Sequence, residues 1–142
     1  MISLLDVNLL VALFDEAHVH HSRAHEWLKK NRSKGWATCP ITQNGCLRIL
    51  SQPGYPGAIP VADITRRLRQ ATKAGDHHFW MDEVSLCDPA LFDPVRVLSP
   101  KHLTDLYLLA LATRKGGRLV TFDQGIPAEA LKKATSTNLV VL

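Results

Sequence analysis

ISLLDVNLLVALFD, residues Ile2 to Asp15, is the stretch on which the fold turns. Ile2–Leu5 is an unbroken apolar run, too short for a helix, and it stops at Asp6. Runs of that kind fit a strand buried on both faces. Beyond Asp6 the apolar residues change period: Leu9, Leu10 and Leu13 recur at helical spacing, which predicts a helix over Asn8–Asp15. A strand, an acid at its end and a helix therefore follow one another within a few residues.

The same alternation continues along the chain. A second helix is expected over Ser22–Asn31, with Ala24, Trp27 and Leu28 on one face, and Gly35 then breaks it. Trp36–Cys39 reads as a strand stopped by Pro40, and Thr42 as the cap of a helix to Leu50. The Pro- and Gly-rich stretch from Pro53 to Pro60 marks a loop. Val61–Lys73 has helical spacing, and Phe79–Met81 and Val95–Leu98 are further strand candidates. Ser99-Pro100 forms an N-cap and first helical position for a helix running to Lys115, ended by Gly116-Gly117. Leu119–Phe122 is a strand ending at Asp123, Ala128–Lys133 a turn of helix, and Leu139–Leu142 a last strand. Strands that alternate with helices require crossovers. The expected architecture is α/β, three layers α/β/α around a central, mainly parallel sheet, in one domain over residues 1–142.

Size and composition agree. The chain has 142 residues, 46% of them hydrophobic and 21% charged, enough for one core without a disulfide or metal staple. Cys39, Cys46 and Cys87 form no CxxC pair, which argues against a disulfide framework or a zinc ribbon and for reduced thiols. No segment is apolar for long enough to span a membrane, and the N-terminus lacks the basic lead of a secretory signal, so a cytoplasmic protein is expected. The net charge of +4 permits an anionic partner without demanding one. Neither GxGxxG nor GxxxxGK[ST] occurs, which disfavours dinucleotide and P-loop nucleotide binding.

In open parallel sheets, ligands bind beyond the carboxyl ends of the strands. Asp6 and Asp123 end two strands, and Asp105 lies early in the helix after Val95–Leu98. If these elements are neighbours, three carboxylates meet at one rim. Like charges held together repel and raise at least one pKa unless a cation fills the gap. Oxygen-only ligands suit Mg²⁺, with Mn²⁺ as the alternative. Asn8 and Thr121 flank the strand ends, and Thr121 shares a strand face with Asp123, so it is placed to hydrogen-bond a site carboxylate.

Four blocks carry a family resemblance: LLDVN, PITQNGCLRIL, HLTDLYLLALA and LVTFDQGI. In order and spacing they resemble PIN-domain nucleases, above all the VapC toxins of bacterial toxin–antitoxin pairs, over nearly the whole chain. The resemblance implies a Mg²⁺-dependent endoribonuclease that leaves a 5′-phosphate and a 3′-hydroxyl. It further implies a VapB-like antitoxin as partner and a toxin homodimer. Asp6, Asp105 and Asp123 match three of the family's four acidic positions and are the implied metal ligands and catalytic residues. At the fourth, often a glutamate, this chain has Asn44, an amide that can ligate but adds no charge. That substitution leaves a second reading open, a non-catalytic PIN-like module that binds RNA.

The remaining polar features have plainer readings. His18, His20, His21 and His25 lack the HExxH pattern of a zinc site and are expected to start and face the second helix. Arg66, Arg67, Arg69 and Lys73 surround one helix, where a solvated face competes with phosphate contact. Arg48, on the helix that carries Asn44, is the candidate bridge between a basic RNA-binding surface and the acidic rim.

Overall fold

The computed structural model describes residues 1–142. Five strands form one sheet: β1 (Ser3–Leu5), β2 (Trp36–Thr38), β3 (His77–Phe79), β4 (Arg118–Thr121) and β5 (Leu139–Val141). Their order across the sheet is β3-β2-β1-β4-β5, and every pairing is parallel. Five α-helices accompany them: α1 (Val7–Phe14), α2 (His21–Asn31), α3 (Pro40–Ser51), α4 (Val61–Thr72) and α5 (Leu103–Arg114). None is long and apolar enough to cross a membrane.

Consecutive residues of the central strands feed opposite cores, because side chains alternate across a sheet. Leu4, Ala37 and Leu119 join α5 and the segment around Trp80, Phe92 and Leu131 on one side. Leu5, Trp36 and Val120 join α1, α3 and α4 on the other. Burial of both faces is why β1 and β4 read as continuous apolar runs.

Two glycines permit close approach. A Cβ on Gly45 of α3 would sit 2.7 Å from Cγ2 of Val7 on α1, and one on Gly117 would sit 2.6 Å from the Ile2 carbonyl and from Trp80. The first lets α3 press against α1 beside the strand ends. The second lets the chain enter β4 close against the Ile2 backbone and the Trp80 ring.

The structure corrects several expectations. Val95–Leu98 is not a strand. Pro94–Arg96 is a 3₁₀ turn, its start capped by Asp93, and Val95 and Leu98 are 86% and 98% exposed. Proline at its start supplies no ladder donor, and no strand of the sheet pairs with the segment. The edge strand β3 lies two residues before the predicted Phe79–Met81 and includes His77 and His78. Ala128–Lys133 gives only a 3₁₀ turn at Ala128–Ala130. Pro40 opens α3 rather than merely stopping β2. Cys39 is the N-cap, and Thr42, three residues on, accepts the Cys39 N–H through its hydroxyl at 3.0 Å.

Candidate metal centre

The strand order reverses between β1 and β4: β2 and β3 lie on one side of the pair, β5 on the other. Chains leaving two adjacent parallel strands in opposite directions open a crevice at their carboxyl ends. Asp6 follows β1 and Asp123 lies two residues beyond β4, so both stand at that crevice. Asp105 arrives from the first turn of α5, which packs against β1 and β4. It follows the 3₁₀ turn Pro100–His102 rather than the strand expected before it. Carboxylate oxygens of the three lie within 4.8 Å of one another.

Asp6 is the most enclosed, 3% exposed. One of its oxygens accepts the Val7 N–H at 2.6 Å, at the start of α1, and the other accepts the Thr121 hydroxyl at 2.7 Å. Helix capping and site formation thus fall to one side chain. The Thr121 oxygen in turn accepts the Asp123 N–H at 3.0 Å, which ties the end of β4 to the end of β1. Asn8 donates through Nδ2 to Asp123 Oδ2 at 3.2 Å, so it orients Asp123. His102, one turn before Asp105, brings Nδ1 to 3.6 Å from Asp105 Oδ2.

The electrostatics follow from this enclosure. Burial, opposed by the Thr121 hydrogen bond and reinforced by the Asp105 and Asp123 charges, pushes the Asp6 carboxyl up to about 6. Burial also raises Asp105, and the Asp123 charge adds to the rise while His102 works against it. Two acids made reluctant to ionise, beside a third, form a site suited to a cation. The donors are oxygens alone, and they fit a hard divalent ion better than zinc.

The trio lies in a cleft of 360 Å³ whose walls include Val7, Asn8, Ile41, Asn44, Arg48 and Thr104. Asn44 and Arg48, one turn apart on α3, therefore share the cleft with the acids.

A family model described as PIN domain matches residues 3–130. The chain belongs to the PIN-domain family. Relatives within it include VapC ribonucleases of Mycobacterium tuberculosis. Ribonuclease VapC44 is 49% identical over 142 residues, with both chains covered completely. Ribonuclease VapC38 is 46% identical over 125 residues, 87% of this chain and 86% of that one. The crystal structure of VapC20 from the same organism, titled a sarcin–ricin loop cleaving toxin, superposes with a TM-score of 0.61. The superposition covers 93% of this chain and 98% of that one at 14% identity, so the likeness is one of fold.

Against this PIN frame the other candidate residues separate. Arg66, Arg67 and Arg69 on α4 do not line the acidic cleft. Arg66 pairs with Asp63 at 3.1 Å. Arg67 donates to the Phe14 carbonyl at 3.0 Å and lies over the Phe14 ring. The histidine cluster does related work: a His21 nitrogen meets the Ala12 carbonyl at 2.8 Å and a His25 nitrogen the Leu13 carbonyl at 3.0 Å. These three side chains satisfy the last carbonyls of α1, which no backbone N–H can reach. Their clustering is a helix cap built from α2 and α4. Sequence reasoning missed His102 and Thr104 as neighbours of the acids. The three-residue step from His102 to Asp105 at a helix start was the available signal.

Proposed function

We propose that this VapC-family chain is a Mg²⁺-dependent endoribonuclease, with Mn²⁺ as a substitute, acting as the toxin of a toxin–antitoxin pair. The observation that carries the reading is the meeting of three carboxylates from distant stretches of chain at the switch point of a PIN sheet. Asp6, Asp105 and Asp123 would hold the ion. When bound, it would neutralise the scissile phosphate and lower the pKa of a water for attack on phosphorus. The protein's own contribution is placement. Thr121 fixes the Asp6 carboxylate, Asn8 fixes Asp123, and His102 braces Asp105. Val7, Ile41 and Ile49 supply the apolar part of the cleft wall beside the acids.

RNA is the substrate in this reading, as the names of the relatives state for those proteins. A VapB-like antitoxin as cognate partner, a homodimer and a cytoplasmic setting belong to the same proposal. The Asn44 amide in the cleft favours the second reading, a PIN-like module that binds RNA without cutting it.

Purified protein incubated with total RNA separates the two. Cleavage in Mg²⁺ or Mn²⁺ that stops with EDTA, and is abolished by Asp6→Asn or Asp105→Asn, is the expected result. Binding without cleavage selects the module. Cleavage that persists in EDTA overturns the metal reading and points to a histidine mechanism on the RNA 2′-hydroxyl.

A further inference from the structure

The acidic cleft has a cationic side. Of its lining residues only Arg48 is basic. It projects from α3 one turn beyond Asn44, and α3 is held close to α1 by the Gly45–Val7 approach, so its base is firmly placed. No ion pair in the molecule includes Arg48, although three carboxylates share its cleft. Of the other candidate arginines, Arg67 is engaged on the Phe14 carbonyl and Arg66 on Asp63, while Arg69 makes no ion pair but lies outside the cleft.

Charge balance says what an unengaged guanidinium can do there. Three carboxylates outnumber the two charges of a divalent ion, so the loaded cleft would remain anionic and repel a phosphodiester. One fixed positive group makes up the difference. Guanidinium is permanently charged, and its planar fork matches two oxygens of a phosphate.

We propose that Arg48 is the phosphate clamp of this site, binding a non-bridging oxygen of the phosphodiester that enters the cleft. This rests on the ribonuclease reading. It adds a substrate-binding residue and explains why Asn44, rather than a fourth acid, is compatible with an RNA site: an acid at that position would face Arg48 from one turn away and cancel it.

The test has a binding arm and a cleavage arm. The binding arm keeps the three carboxylates intact and uses, in Mg²⁺, a short labelled single-stranded RNA whose backbone linkages are non-hydrolysable but retain their anionic non-bridging oxygens. Arg48→Ala should weaken binding and flatten the slope of log K against log salt by about 0.7, the value for one lost phosphate contact on a single strand. Arg48→Lys should restore the slope. In the cleavage arm, Arg48→Ala should lower kcat/KM about 10- to 100-fold, as expected for a hydrogen bond to a charged group. Arg48→Lys should recover part of that loss. The melting temperature should stay unchanged, since Arg48 is exposed and unpaired. Arg96→Ala, which removes the same charge from outside the cleft, is the control.

An unchanged slope in Arg48→Ala overturns the clamp. So does an equal drop in Arg96→Ala, which would make the loss a general charge effect. A wild-type protein that cuts no RNA in either metal defeats the ribonuclease reading instead, while the binding arm still decides the role of Arg48.

Discussion

Asp6 combines three demands in one carboxylate: it starts α1, receives Thr121 and faces two other acids. Its folded pKa of about 6, against 3.8 for the ordinary group, carries a sign that can be tested. Between those values the folded state binds more protons than the unfolded one, so stability falls as pH rises through the window. The full separation corresponds to about 3 kcal/mol, present below pH 4 and lost above pH 6. In EDTA, the melting temperature of Asp6→Asn relative to wild type should therefore climb by several degrees from pH 4 to pH 7. A difference that is flat with pH would place the Asp6 titration elsewhere. Asp105 is raised for the same reasons and has no tight partner to lose, only His102 at 3.6 Å. Asp105→Asn without metal should melt at the same temperature as wild type or higher. A fall of many degrees would mark Asp105 as a structural group.

Among the elements, α1 depends most on its neighbours. It is short, its first N–H meets the Asp6 carboxylate, and its last carbonyls meet His21, His25 and Arg67. A helix of this length is unstable alone, so those side chains set where it ends and hence how firmly Asp6 and Asn8 are aimed. Arg67→Ala removes a charged donor from the Phe14 carbonyl and a cation from the Phe14 ring. It should cost about 1–2 kcal/mol, read as a lower midpoint in urea at unchanged m. Gly117→Ala should do more, because the added methyl meets the Ile2 backbone, which cannot step aside as a flexible side chain would. The elements were also unevenly legible. β1, β4 and α5 announced themselves through continuous apolar runs or helical spacing. β3 and Val95–Leu98 did not, because a short edge strand and an exposed turn carry the same few apolar residues, and only the position of the sheet tells them apart.

For the whole molecule, an ion held by the acidic trio would be linked to the fold. Ion binding needs Asp6 ionised, and the folded protein alone holds the three carboxylates together, so ion binding is also stabilisation. Mg²⁺ or Mn²⁺ at about 100 times its Kd should add about 2.7 kcal/mol. The resulting rise in melting temperature should be small at pH 5, where Asp6 is largely protonated, and full by pH 7.5. It should vanish in Asp105→Asn. Differential scanning calorimetry with and without EDTA reads all three results. An ion-induced rise that survives in Asp105→Asn would place the ion away from the trio.

Much of this protein was written in its sequence. The α/β class followed from the change of apolar period after Asp6, and the candidate acids followed from their places at strand ends, because local period and strand termini are properties of consecutive residues. What the sequence left undecided was every relation between distant residues. Whether Asp105 reached the other two depended on α5 packing beside β1 and β4, although the strand expected before it does not exist. Whether the arginines faced the acids depended on helix rotation, which put Arg48 in the cleft and turned Arg67 to cap α1. Such relations are set by which faces the two cores bury, and that choice belongs to the assembled sheet rather than to any one segment.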